Sequence, residues 1–279
     1  MTNKFKKIIS LFMMITLCFI VVIPAFAGEN KKEKVVFSAD EIIDMKEIEK
    51  RLSLGISDDP SFKGDVILNN EIVTNEKGEK LKIVPTSIKA TSQKVKETIN
   101  ENGLKKTEYV GYIMAETSAV PISKETTVSP MVIGSETVER GEYDTTYSTR
   151  TWVKVSYEYN SFLRTPYVYE LYKFNSVYGK VDRLDSLVAL NKLVVKNNAF
   201  GDYYSDIWAN NLVGRGGLST SRTVNYPTSG VYYSVTPVNY YWNTACGGSG
   251  ISFIRADVTS YNSRGTSSWT KTVTINITN

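Results

Sequence analysis

Past residue 141 the side chains alternate between apolar and polar with a period of two. Trp152-Val153-Lys154-Val155-Ser156-Tyr157-Glu158-Tyr159 shows it, as do Tyr167 to Phe174, Val231 to Val235, Ile251 to Asp257 and Trp269 to Ile277. A helix buries positions three and four apart, whereas a strand sends successive side chains to opposite faces, so this pattern calls for strands with one face in a core and one in water. Turn-forming stretches such as Val177-Tyr178-Gly179-Lys180 and Asn262-Ser263-Arg264-Gly265 separate the runs. Short strands at regular spacing predict an antiparallel β-sandwich over residues 141–279, and the chain as a whole is expected to be mainly β. Leu184 to Val195 reads as two short strands around Asn191.

The first half has a different composition. Residues 28–115 are rich in Lys and Glu and contain none of the four tryptophans. They predict a small α+β unit, with a pro-segment removed outside the cell as the alternative. Ser38 and Glu41 form a capping box, Phe37 and Ile42 a hydrophobic staple, and Gly55 a left-handed stop, which places a helix at Ala39 to Leu54. Short strands follow at Asp65-Val66-Ile67-Leu68, Glu71-Ile72-Val73 and Leu81-Lys82-Ile83-Val84. Asn102-Gly103, a pair that readily takes positive φ, marks a hairpin between Ile88 to Ser92 and Tyr109 to Met114; Gln93 to Ile99 reads as strand or short helix. Residues 116–140, with Pro121 and Pro130, read as a linker in which Val128 to Ile133 is a candidate edge strand.

Residues 1–27 have the form of a secretory leader. Lys4, Lys6 and Lys7 precede an apolar run from Ile8 to Ile23, and Ala25-Phe26-Ala27 offers small residues at the cleavage site. The run is too short to span a bilayer as a helix, and Leu17 before Cys18 is too bulky for lipoprotein processing. A secreted, extracellular protein is the expectation. Loss of those three lysines lowers the net charge from +4 to about +1. No concentrated basic face remains in the sequence, which argues against nucleic acid as a partner.

The strand Lys154 to Tyr159, the strand Tyr169-Glu170-Leu171-Tyr172-Lys173-Phe174 closed by Gly179, and Ser267-Ser268-Trp269-Thr270-Lys271-Thr272-Val273-Thr274 together cover a characteristic style of strand and turn. In these the C-terminal half resembles Tyr/Ser/Thr-rich β-modules of secreted Gram-positive bacterial proteins of uncharacterised function. The resemblance implies secretion and an all-β module, and implies no activity.

The chain contains no histidine, and Cys246 is the sole thiol after residue 27. Ser–His and Cys–His nucleophiles therefore cannot be assembled. The reading leans away from an enzyme and requires no cofactor and no metal. Cys246, in Ala245-Cys246-Gly247-Gly248-Ser249-Gly250, reads as a structural or loop thiol, with an intermolecular disulfide or a reactive thiol as alternatives. Gly214-Arg215-Gly216-Gly217 lacks the residues of a phosphate loop and reads as a turn between strands. Asp182 with Asp185, and Asp202 with Asp206, are weak candidates for calcium and read as turn acids. Glycoside hydrolysis needs only two carboxylates, for which Glu158, Glu170, Asp182, Asp202, Asp206 and Asp257 are available.

Aromatic load is what remains. Tyr203-Tyr204 with Trp208, and Tyr240-Tyr241-Trp242, place rings on both faces of their elements. Outward rings can stack on sugars or sit in a membrane interface, while cross-strand packing is the plain alternative. Tyr203, Tyr204, Trp208, Tyr240, Tyr241 and Trp242 are accordingly the expected ligand-binding residues. The expected function is non-catalytic binding of a cell-wall or extracellular glycan. The alternative is a membrane-active toxin or bacteriocin-like exoprotein in which Val224 to Trp242 forms a membrane hairpin, and a carboxylate-dependent glycoside hydrolase comes third.

Overall fold

Across the described residues, alternation becomes pairing. The computed structural model describes residues 33–69, 71–122, 144–164, 167–245 and 252–278. The leader, most of the stretch read as a linker and Cys246 lie outside the described residues. The strands are β1 (Lys34–Ser38), β2 (Gly64–Asn69), β3 (Ile72–Thr74), β4 (Lys80–Ile99), β5 (Lys105–Pro121), β6 (Asp144–Arg164) and β7 (Tyr167–Arg183). They continue as β8 (Ala189–Tyr204), β9 (Leu212–Asn225), β10 (Tyr233–Val235), β11 (Tyr241–Asn243), β12 (Phe253–Arg264) and β13 (Ser267–Thr278), with a helix, α1, at Met45–Leu54.

The mainly β expectation holds. Among the described residues thirteen strands are hydrogen-bonded into a single sheet, in the order β1-β4-β5-β6-β7-β11-β8-β12-β13-β2, with β3 on β4, β10 on β7 and β9 on β8. Residues 28–115 and 141–279 share this sheet, because β5 pairs antiparallel with β6 and β2 with β13. Strands distant in that order also meet face to face. Gly179 on β7 lies so close to Val195 on β8 and Val258 on β12 that a Cβ there would come within 2.8 Å of both. Gly64 on β2 is likewise pressed against Ile113 on β5. One continuous core lies between these inner faces, with Val153, Val155, Phe174 and Val177 buried together with Val195, Val258, Val273 and Ile275. Burying each such side chain stabilises the fold by about 1.5–3 kcal/mol before chain entropy is counted.

Local signals were met in part. Asn100 Oδ1 accepts from the N–H groups of Asn102 (2.9 Å) and Leu104 (3.0 Å), and Gly103 has φ 76°, so the expected hairpin turn forms. Gln93 to Ile99 is strand, the end of β4. The helix begins later than its capping box suggested. Gln93 Oε1 accepts from Ile42 N–H at 2.8 Å and Val95 carbonyl accepts from Ala39 N–H at 2.9 Å, so residues 39–42 are tied to β4. Glu41 is drawn to Lys154 and Tyr112 instead of a helix end. Asp44 becomes the cap, accepting from Lys46 N–H, while Gly55 stops the helix as expected with φ 65°. Of Leu184 to Val195, only the part from Ala189 is strand, and Val188 N–H closes a turn onto Asp185.

Candidate functional site

Five of the six aromatic residues expected to bind ligand, Tyr203, Tyr204, Tyr240, Tyr241 and Trp242, come together around β11, and Trp208 follows in the turn after β8. This short strand pairs with both β7 and β8, setting Trp242 opposite Tyr172 and Tyr203, and Tyr241 opposite Tyr204. On the core side, the Tyr203 ring lies 4.8 Å from Trp242 and 5.0 Å from Tyr240. Trp242 is fully buried, and its indole N–H has no described partner, so it serves packing. On the opposite side Tyr204 is buried in a cluster with Phe162, Leu171 and Ala209, and Trp208 is buried as well. Tyr241 is half-buried; its hydroxyl donates to Glu158 at 2.6 Å and Lys173 lies over its ring at 4.8 Å. Burial and the Glu158 contact hold that hydroxyl protonated, well above the usual tyrosine range. These rings spend their faces largely on one another. Trp242, Tyr204 and Trp208 present no open face to a ligand.

An open groove lies elsewhere, on the outer face of β8, β9 and β12. Its position follows from alternation. On β8, Leu193, Val195 and Ala199 enter the core, so Lys196, Asn198 and Phe200 point outward. On β12, Ile254, Ala256 and Val258 are buried, which sends Phe253, Arg255 and Asp257 to the same side. Antiparallel register then sets Phe200 opposite Phe253, Asn198 opposite Arg255 and Lys196 opposite Asp257. On the other flank, β9 sets Gly217 opposite Phe200 and Ser219 opposite Asn198. The groove has a volume of about 450 Å³.

Its apolar end is a pair of rings. Phe200 and Phe253 are near-parallel, 22° apart with centroids at 6.4 Å, and Phe200 remains 43% exposed. Gly217 keeps that ring open, since a Cβ there would lie 3.2 Å from Phe200 Cδ2. The polar end is a fixed network. Arg255 Nε donates to Asp257 Oδ1 at 2.6 Å, Thr274 Oγ1 to the same oxygen at 2.7 Å, and Asn198 Nδ2 to Asp257 Oδ2 at 3.0 Å. Arg255 also reaches Thr274 through Nη2 at 3.4 Å. Such cross-bracing holds the side chains in one arrangement before any ligand arrives.

Other candidate residues have structural employment. Gly214-Arg215-Gly216-Gly217 lies within β9 and is no turn; Gly214 makes room for the Tyr203 hydroxyl and Gly217 for Phe200. Arg215 pairs with Asp202. Asp182 accepts from Trp152 Nε1 at 2.6 Å, Asp185 from Tyr147 N–H at 2.9 Å, and Asp206 from Trp208 N–H at 2.8 Å. Among the described residues no cluster of His, Cys, Asp and Glu could hold a metal ion. Val224 to Trp242 is divided among the end of β9, β10 and β11, with irregular chain between.

Local sequence pattern does not single out Phe200, Phe253, Asn198, Arg255 or Ser219 as site residues, and it offers Asp257 as one of six candidate carboxylates. One signal was present: glycines inside a strand mark a close approach by a neighbour, and Gly217 marks Phe200. Comparison with protein-family models, curated proteins and solved structures finds no match to this chain.

Proposed function

We propose that this is a secreted, non-catalytic protein that binds a glycan of the cell envelope or extracellular space in the groove of β8, β9 and β12. The leader-like residues 1–27 support the location. The observation that carries the binding reading is the Phe200–Phe253 pair, with Phe200 exposed, beside the braced polar set of Asn198, Arg255 and Asp257. Sugars have apolar ring faces and polar edges, and a site combining an aromatic floor with a few fixed hydrogen-bonding groups suits both. Cleavage is not supported by the same groove. Asp257 is the one carboxylate among its lining residues, and its oxygens are engaged by Arg255, Thr274 and Asn198, whereas glycoside hydrolysis uses two carboxyl groups.

Co-sedimentation with purified cell-wall glycan tests the proposal. The wild-type protein is expected to sediment with the wall, and Phe200→Ala to be retained about tenfold less, the effect of losing roughly 1.4 kcal/mol of stacking. Phe200 is 43% exposed, so Phe200→Ala is expected to keep the fold, which circular dichroism of the variant checks. Equal retention of both proteins, or no retention of either, counts against the groove.

A further inference from the structure

Resting on the glycan reading, we infer that the groove selects an acidic sugar, one whose anionic group, carboxylate or sulfate, is held by Lys196 and Arg255. The argument is an inventory of what the groove has left to offer. Asp257 already receives hydrogen bonds from Arg255, Thr274 and Asn198, so its capacity to accept from sugar hydroxyls is largely used within the protein. Arg255 commits Nε and one contact of Nη2 to that network and stays one-third exposed, which leaves guanidinium N–H groups directed to solvent. Lys196 stands opposite Asp257 in register yet forms no ion pair with any described residue. Its three N–H groups are available.

Charge gives the same answer. The groove lining holds Lys196 and Arg255 against Asp257 alone, an excess of one positive charge. Nearby charges do not cancel it. Asp202, further along the same face of β8, is paired with Arg215. Asp65, on β2, stands opposite Thr274 and so lies one strand beyond the residue that Arg255 Nη2 reaches, and the ion pair of Arg255 is with Asp257. Lys192, in the other direction on β8, lies over the Tyr261 ring at 3.8 Å. A neutral sugar would find donors in excess of acceptors. A sugar bearing an anion would place that group between Lys196 and Arg255 while its ring lay on Phe200, and charge-assisted hydrogen bonds are stronger than neutral ones. The whole chain is nearly balanced after loss of residues 1–27, so the preference is local to the groove.

Equilibrium binding of three probes of matched length tests this: neutral galactan, polygalacturonate and sulfated galactan fragments. One or both acidic probes are expected to bind about tenfold tighter than the neutral one, with the advantage shrinking as salt is raised. Preference for polygalacturonate assigns a carboxylate, and preference for sulfated galactan assigns a sulfate. Lys196→Met should remove the advantage of the acidic probes over the neutral one, and Phe200→Ala should weaken all binding. Equal affinity for neutral and acidic probes overturns the inference and leaves the glycan reading standing. Acidic binding that Lys196→Met does not alter overturns the assignment to this groove. Binding of none of the probes or of wall glycan, with no effect of Phe200→Ala, defeats the glycan reading and the inference with it.

Discussion

Lys271 is the residue whose environment is most at odds with its chemistry. It lies on β13 with its side chain wholly inside the core, where Nζ donates to the carbonyls of Thr149 (2.8 Å) and Ala115 (3.3 Å) and to Thr117 Oγ1 (3.3 Å). Three acceptors suit an ammonium ion, but burial opposes the charge and pushes the pKa from 10.5 down to about 7. Burial outweighs the opposing pull of the Glu116 and Asp182 carboxylates, and none of the three acceptors carries a charge. Between about pH 7 and 10.5 the unfolded chain then holds a proton that the folded chain has lost, so stability climbs with pH through that window. Below it both states are protonated and the cost of the buried charge is fully felt. The urea midpoint is therefore expected to rise from pH 7 to pH 8.5, a range that stays well below the ordinary tyrosine value of about 10. Lys271→Met should flatten that rise and match or exceed wild-type stability at pH 6.5. A wild-type midpoint independent of pH over this range contradicts the account.

At the scale of elements, the close approach of opposing strand faces makes a sharp prediction at Gly179. Any side chain on this β7 residue enters space held by Val195 and Val258, so Gly179→Ala is expected to cost about 1–3 kcal/mol by overpacking. Denaturant unfolding checks it, and a stability change near zero would mean that β7 does not lie against β8 and β12. Strand content was readable because alternation is a local signal, as at Val153, Val155 and Tyr157, all of which entered the core. The start of α1 was not, because Gln93, far away in sequence, claims Ile42 N–H and holds the segment against β4. The groove was unreadable for the same reason. Phe200 and Phe253 become a pair only through the register of β8 on β12, which no local pattern specifies. The density of Tyr and Trp on β11 reflects a strand flanked on both sides and packed accordingly.

For the molecule as a whole, one hydrogen-bonded sheet unites the Lys/Glu-rich first part of the chain with the aromatic-rich second part. Its inner faces carry the core, and one outer face, formed by β8, β9 and β12, carries the groove. A rigid, largely preformed site of this kind predicts that ligand protects a few strand segments and leaves the remainder unchanged. Hydrogen–deuterium exchange, with and without saturating wall-derived oligosaccharide, measures this directly. Protection is predicted at Lys196 to Phe200, Gly217 to Ser219 and Phe253 to Asp257. Protection centred on Tyr240 to Asn243, or no protection at a ligand concentration that gives binding, would contradict the placement of function in this groove.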